Sequence, residues 1–179
     1  MSLASGVDII KDGASRANLF ITYPHSAVHR DIIARASKNF AAGTSTINIL
    51  VKAPGPLQPH LEWNIIGSND CEVNFYKAPT VATEGTDMTQ TRLYLPSTKT
   101  TQMITKHGGT VDPKGTLLNE AYNGGGGTGA GVRGGASVHD DAEWVIELGT
   151  WYLIEIVRST SGKVGVELEW YEVPEIKNP

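Results

Sequence analysis

The chain has 179 residues, with 15 Lys and Arg against 19 Asp and Glu, a net charge of −4 and a pI near 5.7. Such a length suits one domain, and the mild acidity argues against a nucleic-acid partner, which usually meets a basic face. Only one cysteine is present, Cys71, so no intramolecular disulfide is possible, and we predict a small buried side chain there.

Residues 1–22 show no consistent hydrophobic period, and we predict that they form an N-terminal arm ahead of a single domain over residues 23–179. No apolar run in the arm has the length of a secretory signal or a membrane span, so we expect no membrane partner. The arm nevertheless carries spaced apolar side chains that a solvated tail does not need. We predict that these contact a neighbouring subunit: Val7, Ile9, Ile10, Leu19, Phe20 and Ile21.

Glycine and proline then punctuate the chain at short intervals, with β-branched residues between them, which favours strands over helices. Segment 28–36 is expected to be a strand or irregular. Further strands are predicted over residues 44–51, 60–66, 71–76, 91–95, 100–106, 142–148, 152–159 and 163–172. About eight strands separated by turns are typical of an antiparallel β-sandwich, which we predict with jelly-roll-like connections.

The last predicted strand has the clearest pattern. Val164, Val166, Leu168 and Trp170 alternate with polar residues or glycine, so one face is expected to be buried and the other wet. All four tryptophans lie in or beside predicted strands and are interpreted as core residues, with a sugar-stacking platform as the alternative for one of them: Trp63, Trp144, Trp151 and Trp170.

A short pattern occurs twice in the middle of the chain, 30 residues apart. Thr80-Val81 followed by Gly85-Thr86 returns as Thr110-Val111 followed by Gly115-Thr116. Glycine at the end of a turn supplies a backbone angle that other residues resist. The repeat predicts two similar loops at one end of the sandwich.

Residues 123–136 form a glycine-rich run that is predicted to be a loop between strands. The run contains G-x-G-x-x-G at residues 129–134, but a phosphate site needs a preceding strand and a following helix. Here a strand pattern follows instead. We therefore expect no nucleotide or other cofactor.

Candidate metal ligands are few. His25, His29 and Asp31 are close in sequence but do not make three or four convergent ligands. Asp140, Asp141 and Glu143 lack the spacing of a calcium loop and are interpreted as a solvated acidic segment. No nucleophile turn or recognisable catalytic constellation occurs, so neither a metal nor enzymatic activity is expected.

Several phrases follow one another in a fixed order along the chain. They are segment 23–29, the strand pair 47–62, FYKAPT at 75–80, GT at 85–86, TV at 110–111, GTLL at 115–118, the glycine run, EWVI at 143–146, YLI at 152–154 and LEWYE at 168–172. This order resembles a β-sandwich domain common among tailed-bacteriophage virion proteins. Members of that group are typically head decoration, cement or other structural proteins without enzymatic activity.

The resemblance implies a capsid decoration (cement) protein that binds and stabilises the phage head lattice. It implies the major capsid protein as a partner, self-association into dimers or trimers, and a place on the capsid surface after synthesis in the host cytoplasm. The alternative is a carbohydrate- or receptor-binding module on the virion, which would use exposed aromatics such as Tyr94 or Tyr122. A glycan-degrading enzyme is a third class and would need paired carboxylates in a cleft.

Overall fold

The computed structural model describes residues 33–93, 96–123, 134–137 and 143–174. Within these ranges the chain forms β-strands and no helix. The strands build two six-stranded antiparallel sheets, which pack face to face, and a separate two-stranded ribbon. The predicted all-β antiparallel sandwich is thus confirmed, whereas the jelly-roll-like connections and the N-terminal arm stay predictions.

Sheet I has the strand order β11-β3-β14-β1-β7, with β12 also paired to β3. Its strands are β1 (Ile33–Gly43), β3 (Leu57–Gly67), β7 (Gln90–Arg92), β11 (Gly134–Ser137), β12 (Trp144–Val145) and β14 (Gly162–Pro174). Sheet II has the order β10-β4-β13-β2-β8-β6. Its strands are β2 (Ile47–Lys52), β4 (Cys71–Lys77), β6 (Thr86–Asp87), β8 (Ile104–His107), β10 (Thr116–Asn123) and β13 (Trp151–Arg158). The ribbon consists of β5 (Val81–Thr83) and β9 (Thr110–Val111).

The inner faces of the two sheets form one apolar core, as the alternation in β14 predicts. Val164, Val166, Leu168 and Trp170 are all buried there. Contact between the sheets is partly aromatic, since the rings of Trp63 in β3 and Phe75 in β4 lie 4.7 Å apart. Cys71 is buried at the start of β4, as expected for a small apolar side chain.

Two predicted strands are shorter than the sequence pattern indicates. The strand predicted over residues 142–148 is reduced to β12, two residues that pair with His60 and Leu61. The strand predicted over residues 100–106 begins only at Ile104. The segment before it is held by Glu172, whose carboxylate accepts hydrogen bonds from the backbone N–H groups of Gln102 and Met103.

Other strands extend beyond their predicted limits. β1 continues to Gly43, because its polar second half still pairs with β14 although most of its side chains are exposed. The last residues of the predicted glycine-rich loop belong to β11, in which Gly134 to Ser137 pair with β3. Residues 124–133 of that loop lie outside the described residues.

The sequence repeat corresponds to two loops that cross each other. The loop over residues 78–85 leads from β4 to β6, which pairs with β8; the loop over residues 108–115 leads from β8 to β10, which pairs with β4. Where the loops meet, Val81 and Val111 pair in the ribbon. Strands β13 and β2 lie between β4 and β8, so each loop has to cross both of them.

The crossed loops cover the central part of the outer face of sheet II, the face that points away from sheet I. Leu50 and Leu153 lie opposite each other on this face and are fully buried. Gly109 packs so closely on them that a Cβ atom there would lie 2.5 Å from Leu50 Cδ1. The prediction that the loops lie at one end of the sandwich is therefore wrong, because they bury a second, small apolar layer on a sheet face.

Both loops use the same backbone angles at matching positions. Gly85 and Gly115 have φ values of 82° and 88°, and each immediately precedes a strand, β6 and β10 respectively. Thirty residues also separate Ala78 and Gly108, with φ values of 56° and 74°. Ala78 is the only non-glycine residue with positive φ among the described residues. The repeat thus extends to a position that the sequence comparison alone does not reveal.

Ala78 provides a test of this backbone equivalence. An alanine in the left-handed region is strained by about 1 kcal/mol, so Ala78→Gly should raise the free energy of unfolding by about 0.5–1 kcal/mol. Ala82 in β5 is exposed and has no such strain, so Ala82→Gly should lower it by a similar amount. Urea unfolding of both variants checks the two signs, and destabilisation by Ala78→Gly would contradict the equivalence.

Candidate interaction surface

The side chains predicted to contact a neighbour lie outside the described residues. They are Val7, Ile9, Ile10, Leu19, Phe20 and Ile21, all in the segment before β1. Their role therefore stays a prediction.

Exposed apolar side chains concentrate on strand β10. Leu117 is 48% exposed, Leu118 is 39% exposed and Tyr122 is 68% exposed. Leu117 lies opposite Tyr76 and Tyr122 opposite Glu72, so both side chains are on the outer face of sheet II. A bulge between Leu117 and Asn119 places Leu118 out of the regular alternation. We call Tyr76, Leu117, Leu118 and Tyr122 the β10 patch.

Strand β10 also forms one edge of sheet II, since β4 is its only partner among the described strands. It has eight residues, whereas β6, β7 and β11 at the other sheet edges have two, three and four. Short edge strands offer few free backbone N–H and C=O groups, while a long one is a template for pairing with another chain. The β10 patch therefore borders the longest free edge in the described part of the sandwich.

The internal repeat provides a second pair of strands with the same backbone arrangement as β4 and β10 but without an apolar patch. Lys106 lies 30 residues after Tyr76, and Asp87 lies 30 residues before Leu117. The pair Lys106–Asp87 therefore occupies, beside one crossed loop, the position that Tyr76–Leu117 occupies beside the other. There Lys106 Nζ lies 2.8 Å from an oxygen of Asp87, and this hydrogen bond raises the pKa of Lys106. The backbone thus accepts a solvated ion pair at this position. The exposed leucine and the tyrosine of the β10 patch are not required by the fold.

Charged residues lie beside and between the side chains of the β10 patch, and most of them are acidic. Glu72 and Glu120 lie on the same sheet edge, and Asp70 accepts a hydrogen bond of 3.1 Å from the hydroxyl of Tyr122. The basic residue nearby, Lys114, is paired with the buried Glu155 at 2.7 Å, and their hydrogen bond raises the pKa of Lys114. Its charge is thus already neutralised. The patch suits an apolar partner that carries basic groups on its flanks.

Burial, followed by the negative charge of Glu155, raises the pKa of the Tyr76 hydroxyl above its ordinary value. Lys114 also lies over the Tyr76 ring, with Nζ 5.9 Å from the ring centroid. At neutral pH the phenol is therefore uncharged, and Tyr76 lies opposite Leu117 on the neighbouring strand.

The outer face of sheet I carries a different group of polar residues. Arg35 lies between Glu167 and Glu169, with 2.8 Å to an oxygen of each, beside a depression of about 170 Å³. Glu62 lies opposite Glu169 across the strands. Paired carboxylates are thus present, but on an open sheet face rather than in a cleft. Among the described residues no group of three or more His, Cys, Asp or Glu is placed to hold a metal ion.

Glu143, which the sequence places in a solvated acidic segment, contacts the opposite end of this face. One of its oxygens accepts a hydrogen bond from the hydroxyl of Tyr171 and lies 3.0 Å from Nδ1 of His60. The His60 and Tyr171 rings stack with centroids 4.6 Å apart. These contacts anchor the start of β12 to sheet I. Asp140, Asp141 and the candidate ligands His25, His29 and Asp31 lie outside the described residues.

The tryptophans divide into two classes. Trp63 and Trp170 are buried in the core, and Trp144 packs against it, as predicted. Trp151 is half-buried beside Lys52, whose Nζ lies 5.2 Å from the ring centroid, so it does not belong to the core cluster. Of the aromatics predicted for sugar stacking, Tyr122 is exposed, whereas Tyr94 lies outside the described residues.

Strand β10 itself is absent from the strands predicted from the sequence. Its bulge interrupts the period of two, and its outer face mixes leucine, glutamate and tyrosine. The signal that does indicate it is the repeat, since Gly115-Thr116 matches the start of β6 at Gly85-Thr86.

Comparisons of the chain with known protein families, with curated proteins and with solved structures find no match. The described residues contain no helix that is long and apolar enough to cross a membrane.

Proposed function

We propose that the protein is a virion structural protein that decorates the head of a tailed bacteriophage and stabilises its capsid lattice. The ordered phrases in the sequence support this proposal through their resemblance to such domains. The observation that carries it in the structure is the β10 patch, an exposed apolar surface beside a long free strand edge. Several large exposed apolar side chains on one surface are typical of protein–protein interaction sites.

In this proposal the mechanism is adhesive rather than catalytic. A capsid offers many symmetry-related copies of the same site, so a sandwich that contacts both the major capsid protein and its own neighbours is held by several contacts at once. Even weak individual contacts then give strong retention, because each further contact forms within an already bound assembly. Copies would associate as dimers or trimers through symmetric contacts.

The decisive experiment measures binding of the purified protein to empty mature heads of the phage that encodes it. We expect co-sedimentation that saturates at a fixed ratio of protein to capsid subunits, and heads that resist disruption by heat or chelators longer when saturated. Heads of an unrelated phage are the control. The absence of saturable binding to the cognate heads would refute the decoration role.

One observation favours the carbohydrate-binding alternative as a second candidate. The ring of Tyr122 is largely exposed, and its hydroxyl is fixed by Asp70, an arrangement of ring and carboxylate that suits a sugar. A glycan array with the wild-type protein and Tyr122→Ala tests it. Binding to a defined glycan that is lost in the variant, together with no binding to heads, would establish the alternative in place of decoration.

A further inference from the structure

We propose that residues 16–23 of one copy add as an extra strand to the free edge of β10 in a neighbouring copy. This inference rests on the proposed decoration role, because it supplies the contact between neighbouring copies. It proposes that the end of the N-terminal arm, together with Tyr23, covers the β10 patch of a neighbouring copy.

The edge of β10 has what strand addition requires. Among the described strands only β4 pairs with β10, so alternate residues of this eight-residue strand direct backbone N–H and C=O groups toward a side without a described strand. Leu117, Leu118 and Tyr122 stand beside that side with large exposed fractions. In strand addition, backbone hydrogen bonds give affinity and neighbouring side-chain contacts give specificity. The apolar residues of the β10 patch thus lie where an added strand would cover them.

Segment 16–23 has the matching composition. Leu19, Phe20 and Ile21 form a short apolar run that continues to Tyr23, and an apolar run of this length is consistent with a strand that is covered on both faces.

The charges also match. Residues 13–30 contain no Asp or Glu, and Arg16 precedes the apolar stretch within the segment. The rim of the β10 patch is acidic through Glu72 and Glu120. A basic, apolar strand is therefore complementary to this edge in both charge and hydrophobicity.

The chain is long enough for the contact to form between copies. Residues 24–32 separate the segment from the start of β1. Fully extended, nine residues span about 30 Å, which is comparable to the width of a compact domain of this size. The segment can thus leave its own sandwich and reach a neighbour in contact with it. A head-to-tail contact of this kind closes into a ring or continues along a lattice.

Cross-linking of full-length chains tests the contact directly. One pool carries Phe20→Cys and the other Leu118→Cys, and the two are mixed and treated with a short bismaleimide, in solution and on saturated heads. Native Cys71 is buried and does not compete. We expect a covalent dimer that contains one chain of each kind. The matched control replaces Leu118→Cys by Asp87→Cys. Asp87 lies on β6, the strand that follows the other copy of the repeat, and this control should give at least about tenfold less dimer.

Each other outcome overturns the proposal. Equal yields with Asp87→Cys and Leu118→Cys would show collision rather than docking. No mixed dimer, together with an internal cross-link in a single chain carrying both cysteines, would show that the segment pairs with its own sandwich. No cross-link of either kind would show that the segment binds elsewhere. Circular dichroism and thermal melting confirm that the cysteine variants are folded.

A double variant separates this inference from the proposed function. Tyr76→Lys with Leu117→Asp installs the ion pair that the fold already carries at Lys106 and Asp87. We expect a folded protein whose self-association is weakened at least about tenfold, because the two substituted side chains can no longer make apolar contacts with the added strand. Unchanged self-association would overturn the inferred strand contact but would not contradict the proposed binding to the capsid. Failure of the wild-type protein to bind heads would instead overturn the decoration role, and the mixed dimer in solution would still test the strand contact.

Discussion

Trp170→Ala should lower the free energy of unfolding by roughly 3–5 kcal/mol, the range for a large aromatic side chain removed from a core. Trp170 is 1% exposed and lies on the inner face of β14 among aliphatic side chains. Its Nε1 also donates a hydrogen bond of 3.0 Å to the hydroxyl of Thr101. That hydroxyl in turn donates to the carboxylate of Glu172, which holds the segment before β8. The substitution therefore removes core volume and loosens this segment.

Urea unfolding followed by circular dichroism measures the effect. Trp151→Ala is the matched control, because Trp151 is half-buried and outside the core cluster, and it should cost less than half as much. Trp170→Phe keeps most of the volume but loses the N–H group, so an intermediate loss is expected. A loss below about 1 kcal/mol for Trp170→Ala would contradict the packing described for β14.

Gly115→Ala should be comparably severe, with an expected loss of about 3 kcal/mol or more from backbone strain and overpacking combined. The φ value of 88° is one that alanine resists. A Cβ atom there would also lie 2.2 Å from the backbone oxygen of Lys77, which cannot move without disturbing β4. Gly85→Ala meets the equivalent obstacle, 2.3 Å from the backbone oxygen of His107, and should have a similar effect.

Gly108 supplies the control for these two positions. It has a φ value of 74° but no atom within 4 Å of a Cβ placed there. Gly108→Ala should therefore cost only the conformational strain, about 1 kcal/mol. Thermal melting of the three variants separates strain from steric conflict. Equal losses at all three positions would show that the close backbone approach in the crossed loops is not the dominant constraint.

The sequence predicts the parts of this fold whose pattern is local. β14 alternates over its whole length because one of its faces is buried by sheet II and the other is wet, so its pattern alone predicts both faces. β4 shows a similar alternation at Cys71, Val73 and Phe75, whereas β13 is predicted from a largely apolar run that is buried on both faces from Tyr152 to Ile156. Even the repeat is visible as similar turn glycines at residues 85 and 115.

The rest depends on contacts between distant parts of the chain. A repeat shows that two loops are alike, but not that they pair with each other at Val81 and Val111. The strand pattern of residues 100–106 is overridden by Glu172, about 70 residues later in the chain. The sequence does not predict the candidate surface because the bulge in β10 interrupts its strand pattern. In addition, only the strand pairing shows that Leu117 is exposed at a position where the other copy of the repeat has the charged Asp87.

Both sheets place a strand from the last described part of the chain at their centre. β13 lies between β4 and β2, and β14 lies between β3 and β1. While the chain emerges from the ribosome, each sheet therefore exists only as separated halves with open edges until residues 151–174 have been made. The sandwich has to close in one late step around these two strands. Until then the nascent chain exposes strand edges that pair readily with other chains, so we expect its yield in the cell to depend on rapid completion or on chaperones that shield those edges.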